Sequence, residues 1–376
     1  MVLEVSQETA AGFTLSRQHL LKPVPAEKAL EVVDDILGLN AQGALNSQLS
    51  LWCRTEGLDP SYIPRALYEN RSLVRSWLMR DTVHIVPSRR LALFRRSLEY
   101  SLMLEWNRWT VKTGRKEKPG SWEPLYPKVL TALEGEPLTL NQIMDELGWT
   151  GREAKEKLHR LLREMSLRGL LCNATSSGPW HHNTEHTFTR IDAWLPNIVN
   201  ETLDEEEARE TLARKYLRAY GPASVSDFSY WTGMKVREAK PIFDSISEAT
   251  VEVRVRDQRA KLLILEEDAD SLIKSGYATD TVRLLPKFDA LIMGHRDKSR
   301  LIDSDARKKI FLPTAEVSAT LLLNGSVRGV WNIKRDKKSW KLTISPFRAI
   351  SEEEIKSIEE EVERMRDFTG FEIELG

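Results

Sequence analysis

Two stretches of this chain match without a gap. PLTLNQIMDELGWTGREAK begins at Pro137, and PASVSDFSYWTGMKVREAK begins at Pro222, so each matched pair lies 85 positions apart. Pro137 pairs with Pro222, Leu140 with Val225, Ile143 with Phe228 and Gly148 with Gly233. The run Arg152-Glu153-Ala154-Lys155 pairs with Arg237-Glu238-Ala239-Lys240. In each copy a Thr or Ser stands where a helix N-cap accepts from the first orphan amides. A glycine follows where a helix ends in left-handed backbone, and a second helix starts near Arg-Glu-Ala. A self-similar unit of this length constrains the fold more than any composition does.

Each copy runs on into β-rich sequence: GLLCNA with HTFTRI, then VEVRVR with AKLLIL. Two helices, a tight turn and a two-stranded ribbon are the grammar of a winged helix-turn-helix. The N-terminal third follows the same order with less regularity. Residues 13–38 read as two helices broken near Pro23 and Pro25, and a helix runs from about Ala44 to Arg54. A short helix YIPRALYEN follows, then LVRSWL and TVHIV, two strands joined by MRD. A long helix from about Arg89 to Val111 covers that ribbon. From Thr281 the pattern changes to alternating apolar and polar residues with turn signals, as in LNGSVRGVW, which reads as a hairpin. The acidic start of SEEEIKSIEEEVERMRDF suits a closing helix. The expected fold is α+β: three tandem winged helix-turn-helix units around a concave cleft, with a small C-terminal antiparallel β domain or barrel. The expected boundaries are 1–115, 116–198, 199–278, 279–350 and a helix over 351–376, with a break at the basic segment TGRKEKPGS. Two similar helical hairpins that merely pack together would leave the same repeat.

Composition narrows the function. The 376 residues carry a formal net charge of -1, with 30% charged and 41% hydrophobic residues. A nucleic-acid partner must therefore be met by local basic patches. Arg152, Lys155, Arg163 and Arg168 lie along the second helix of the middle unit and are candidates for phosphate contacts. The alternative is a solvated face paired with Glu153, Glu156 and Glu164. SRRLALFRRS, KTGRKEK and KRDKKSWK are further patches of the same kind. Only Cys53 and Cys172 are cysteines, which argues against a disulfide scaffold or a multi-cysteine zinc site. The segment HHNTEH holds His181, His182 and His186 but reads as loop or strand, so no metal is expected from it. Trp77, Trp149 and Trp231 fall at element junctions and are assigned to the core. MVLEVSQETAAGF has no basic start and no long apolar run, and no stretch approaches the roughly 18 apolar residues of a membrane span. A cytoplasmic protein is expected. No Gly-rich phosphate loop, nucleophile elbow or triad is present.

What remains is ILGLNAQGAL, where Asn40 and Gln42 put two amides around one small apolar residue, Ala41. Amides beside a core either pair internally or face something that needs them. A carboxamide is a very poor base, but its oxygen can accept from a water and orient it. In the alternative reading Asn40 caps the helix that starts at Gly43-Ala44, and Gln42 faces solvent or a phosphate.

Five segments occur together and in order: LGLNAQGALNSQLSLWCRTEGL, LVRSWLMRDTVHIVPS, YGPASVSDFSYWTG, LLPKFDALIMGHRD and GSVRGVW. As a set, over roughly residues 15–350, they resemble the AlkZ-like winged-helix DNA glycosylases. The resemblance implies three winged helices around a cleft, a small β-domain, and removal of alkylated or cross-linked purines from DNA. The expected enzyme acts on duplex DNA as a monomer with no cofactor. It also implies that the family's Gln–apolar–Gln/Asp motif falls on Asn40, Ala41 and Gln42. The first position is one methylene short, about 1.5 Å in reach. Arg80 and His84 in the first ribbon, and Asp289, His295 and Arg296 in FDALIMGHRD, become candidates for the cleft. Their other reading is structural, as turn caps or ion pairs. A non-catalytic DNA-binding regulator is the alternative function, since tandem winged helices serve that purpose widely.

Overall fold

A computed structural model of the chain describes residues 2–112, 121–176, 178–182, 185–197, 203–256, 258, 260–336 and 339–376. The expected break at TGRKEKPGS and most of the patch KTGRKEK lie outside these residues.

The repeat folds as two copies of one device. In the first, Thr139 caps the helix Leu140–Glu146, accepting from the Gln142 amide at 3.3 Å while Gln142 Oε1 accepts from the Thr139 amide at 2.8 Å. In the second, Ser224 caps Val225–Thr232 and exchanges the same reciprocal bonds with Asp227, at 3.2 and 2.9 Å. Both are capping boxes, which satisfy two orphan donors at once. Gly148 and Gly233 then turn the chain at φ +65° and +89°. The helices Arg152–Leu167 and Val236–Ser245 follow, and after them the strand pairs Leu171–Ser176 with His186–Arg190 and Thr250–Val255 with Leu262–Leu265. In the N-terminal part, Leu73–Trp77 and Val83–Pro87 pair antiparallel across the Met79–Asp81 turn, and the helix Leu91–Lys112 follows.

The sheets do not respect chain order. Leu39–Asn40, Val83–Pro87, Leu73–Trp77, Leu171–Ser176 and His186–Arg190 form one five-stranded sheet in that order. The ribbons of the first and middle parts thus join edge to edge, at the single register pair Arg75 and Asn173. Val2–Val5, which the sequence reading left unassigned, pairs parallel with Thr250–Val255, more than 240 residues away. The helix before Pro23 starts at Gln7, earlier than expected, because Ser6 caps it.

The C-terminal sheet has the order Val282–Leu285, Ala319–Leu323, Ser326–Arg335, Ser339–Pro346, Glu372–Leu375. Its last pair is parallel, so the sheet is mixed where a purely antiparallel one was expected. The closing segment is likewise more than a helix. Glu352–Thr369 ends at Gly370 in left-handed backbone, and the last residues return to the sheet edge as Glu372–Leu375. Return by a helix crossover is what permits a parallel pairing there.

Two large cores and one small one hold the molecule. The first packs Leu15, Val32, Ile36, Leu49, Trp52 and Leu67 of the N-terminal helices against Leu284, Leu321, Trp331 and Met365 of the C-terminal sheet and helix. The second packs the first ribbon and its long helix against both repeat units, with Trp106, Leu161, Tyr216, Phe228 and Trp231 at its centre. The third joins Leu3 and Phe13 to the ribbon of the last unit. No helix among the described residues is long and apolar enough to cross a membrane.

Candidate active site

The site begins with a glycine. Gly38 has φ +102°, and a Cβ there would lie 2.8 Å from Val86 Cγ1 and 2.9 Å from the Ile85 carbonyl oxygen. Only glycine combines that backbone with that closeness. Its absence of a side chain lets Leu39 and Asn40 pair with Ile85 and His84, and the Ala41 amide donate to the Val83 carbonyl at 2.8 Å. The short strand delivers Asn40 buried and Gln42 exposed, one on each side of Ala41.

The two amides close on each other. The Gln42 backbone N–H donates to Asn40 Oδ1 at 3.0 Å, and Asn40 Nδ2 donates to Gln42 Oε1 at 3.0 Å. A backbone N–H can only donate, so Asn40 must present its oxygen there and its NH₂ to Gln42. That in turn fixes which end of Gln42 is the carbonyl. The helix Ala44–Trp52 is capped by Gly43 with no side-chain bond. Asn40 is therefore not its N-cap, and the capping alternative is corrected: Asn40 spends both polar ends on Gln42. One lone pair of Gln42 Oε1 is left to accept from a ligand or water.

Gln42 stands in the wall of a pocket of about 270 Å³, just under the roughly 300–1,000 Å³ of drug-sized ligand sites. Tyr68, Trp180 and His182 give it flat faces; Gln48, Arg75 and His186 give it polar ones, and no carboxylate of the described residues lines it. Burial, with Arg75 beside it, pushes His186 down to about 3, so the imidazole is neutral at ordinary pH. Gln48 is buried, and its Oε1 meets no donor among the described residues. Sequence reasoning missed Arg75, Gln48 and Tyr68. Their signal was absent, because a lone charge in LVRSWL and an amide inside an amphipathic helix carry no spacing pattern. HHNTEH did attract attention, for metal binding. Its His182 and His186 line this pocket instead, and His181 packs against Trp180, Trp340 and Phe371. Among the described residues no three His, Cys, Asp or Glu side chains converge on a metal position. Cys53 and Cys172 are buried free thiols pushed up to about 12 by burial, which removes both as nucleophiles.

The other candidates are brought together only in part. His84 lies across from Asn40 and is buried. Its Nδ1 sits 3.0 Å from the Thr82 carbonyl, and since a carbonyl only accepts, Nδ1 carries the proton. Arg80, Asp289, His295 and Arg296 do not line the Gln42 pocket. Arg80 donates to the Trp231 carbonyl at 2.6 Å, tying the first ribbon to the last unit. Asp289 receives both guanidinium ends of the fully buried Arg54 at 2.8 Å, accepts from Ser50 Oγ at 2.7 Å, and caps Ala290–Met293. His295 Nε2 donates to the Tyr220 carbonyl at 2.7 Å. The Arg296 amide donates to Asp227 at 2.8 Å while its side chain faces solvent. Arg80, Asp289 and His295 thus each tie parts of the fold together through their side chains, whereas the tie from Arg296 runs through its backbone amide. Of the basic residues, Arg152 is 94% exposed with Glu156 at 3.1 Å, and Lys155 donates to Asn141 Oδ1 at 2.8 Å. Arg163 is ion-paired with Asp81 and lies over Trp106. Arg168 is held by Glu123 at 3.0 Å above Tyr126.

The family model described as DNA glycosylase AlkZ-like matches residues 33–368, a span that holds the Asn40–Gln42 pair, the whole repeat and most of the C-terminal sheet. The chain belongs to the AlkZ-like DNA glycosylase family. It is 24% identical over 98% of both chains to the interstrand DNA cross-link repair glycosylase of Streptomyces sahachiroi. The solved structure of Streptomyces sahachiroi DNA glycosylase AlkZ superposes over 100% of both chains with a TM-score of 0.82 at 23% identity. The shared fold thus extends over the length of this family member.

Proposed function

We propose that this AlkZ-like protein hydrolyses the N-glycosidic bond of alkylated or cross-linked purines in duplex DNA, acting as a monomer with no cofactor. The substrate class follows the name of its Streptomyces relative, an interstrand DNA cross-link repair glycosylase. The observation that carries the mechanism is the closed Asn40–Gln42 amide pair, at a pocket where the described residues supply no carboxylate. A carboxamide is a very poor base, so the substrate must bring the driving force. A purine alkylated at N7 or N3 already carries positive charge. The C1′–N bond breaks with its electron pair going to the base, which leaves neutral. Gln42 Oε1 accepts from a water held against C1′. The water oxygen bonds to C1′, and its proton passes to solvent. Asn40 is the positioning residue: it holds Gln42 rather than the water. The finer architecture proposed is three tandem winged helices facing DNA across a concave cleft, with the second helix of the middle unit contributing Arg152 and Lys155.

Duplex containing N7-methylguanine tests this through the appearance of abasic sites. Gln42→Ala should slow single-turnover release by about a hundredfold at nearly unchanged DNA affinity, because phosphate contacts dominate binding. Asn40→Asp keeps the acceptor for the Gln42 amide but cannot donate to Gln42 Oε1, so it should fold normally and release base slowly. Tight binding of the duplex with no release by the wild type would leave a non-catalytic DNA-binding protein as the reading.

A further inference from the structure

Among the described residues Arg75 is the one Lys or Arg in the wall of the Gln42 pocket, and its surroundings are unusual. It sits at the seam where the first and middle ribbons join, in register with Asn173. Its guanidinium donates to Asn173 Oδ1 and, at 3.3 Å, to the carbonyl of Ala41, the central residue of the amide motif. Both acceptors are neutral. Among the described residues no carboxylate pairs with Arg75 and none lines the pocket. Close packing draws its pKa down to about 10, which leaves it charged at neutral pH. Its flanks are enclosed, yet part of the side chain still meets solvent, on the side of the pocket. A charge this enclosed and unpaired is costly unless something pairs with it. Two of its donors are fixed by the fold, and a guanidinium carries five in a planar fork suited to tetrahedral oxyanions.

We infer that Arg75 is the binding site for one backbone phosphate of the lesion-bearing strand, next to the nucleotide whose sugar faces Gln42. This rests on the glycosylase reading for the identity of the strand and extends it to a specific contact. The tie from Arg75 to the Ala41 carbonyl couples the two halves of the site. Docking of the phosphate sets the sugar against the residue that holds the water. The anion also balances the pocket: a cationic purine would otherwise enter beside an unpaired cation, which like-charge repulsion disfavours.

The test is a methylphosphonate scan. Duplexes carrying a stable tetrahydrofuran abasic analogue are made with one neutral methylphosphonate at each of the phosphates flanking it, and affinity is measured for wild type, Arg75→Gln and Arg75→Lys. One position should cost the wild type about tenfold, the value of a charge-assisted bond. Arg75→Gln should be weakened about tenfold on unmodified DNA and lose nothing more at that position. Arg75→Lys should keep a partial penalty there, since a point charge replaces the fork. If every flanking methylphosphonate costs Arg75→Gln as much as it costs the wild type, or if no position costs the wild type anything, Arg75 does not hold a phosphate. Arg75→Lys carries the same comparison should Arg75→Gln not fold. Because affinity for the analogue needs no base release, failure of the glycosylase reading, seen as intact N7-methylguanine duplex, is distinguishable from failure of this contact.

Discussion

At the scale of single residues, two imidazoles near the amide pair, His84 and His186, are kept neutral by burial. His84 is the clearest case. Burial, with Arg80 nearby, lowers it to about 3, and its Nδ1–H is committed to the Thr82 carbonyl. The unfolded chain takes up a proton near pH 6.5, while the folded chain refuses it until about pH 3. The unfolded state therefore binds more protons throughout that window, and stability falls as pH falls through it. Above pH 6.5 both states are neutral and His84 contributes no slope. Thermal melting from pH 7 to pH 4 should show Tm declining. His84→Leu should flatten that decline, less than completely, since His295, lowered to about 4, and His186, lowered to about 3, both by burial, add to it. An unchanged slope in His84→Leu would mean that the imidazole is not buried neutral beside Asn40.

Among the elements, the two repeat copies offer a comparison the protein makes with itself. Gly148 and Gly233 end equivalent helices in the same left-handed backbone, where an L side chain costs about 1–2 kcal/mol. Their neighbourhoods differ. A Cβ on Gly148 meets nothing within 4 Å, whereas one on Gly233 lies 3.0 Å from Arg80 Cα, a backbone atom that cannot step aside. Gly148→Ala should cost about 1 kcal/mol. Gly233→Ala should cost more, by about 1–3 kcal/mol of overpacking, and should disturb the bond from Arg80 to Trp231. Chemical denaturation of the two variants checks this, and equal losses would show that the ribbon and the last unit do not press together at this point. The repeat motif itself was legible because caps, glycines and apolar spacing are local physics. That the two copies differ in their environment was not, because Arg80 approaches from a turn far away in the chain.

Over the whole molecule, charge is distributed so that net neutrality hides two populations of cations. Arg163 and Arg168 are absorbed by Asp81, Glu123 and aromatic faces, while Arg152 and Lys155 stand out from the same helix. Replacing Arg152 and Lys155 together by Ala should flatten the log-log salt dependence of duplex binding by up to about 0.9 per lost phosphate contact. Arg163→Ala should leave that slope alone and lower Tm, because it strips a partner from Asp81. Titrations of binding against salt on both variants decide it, and an unaltered slope in the first would remove this helix from the DNA face.

The residue order alone determined the elements built on local signals. Capping boxes, chain-reversing glycines and alternation in the ribbons act within a few residues, so they could be read before any contact was known. It also marked Asn40 and Gln42, whose amides beside a core either pair or face something that needs them. Three things had to wait for the tertiary structure. The strand Val2–Val5 and the closing strand Glu372–Leu375 find their partners only when distant segments meet. Arg54 and Asp289 form one buried pair from 235 positions apart, so a residue suspected of chemistry turned out to anchor the core. Arg75 reaches the pocket only because the edges of two ribbons join, bringing Asn173 and Ala41 to either side of it. Local sequence fixes backbone conformation through steric and hydrogen-bonding rules of short range, whereas a charge acquires its meaning from what stands opposite it, and that is decided by the fold.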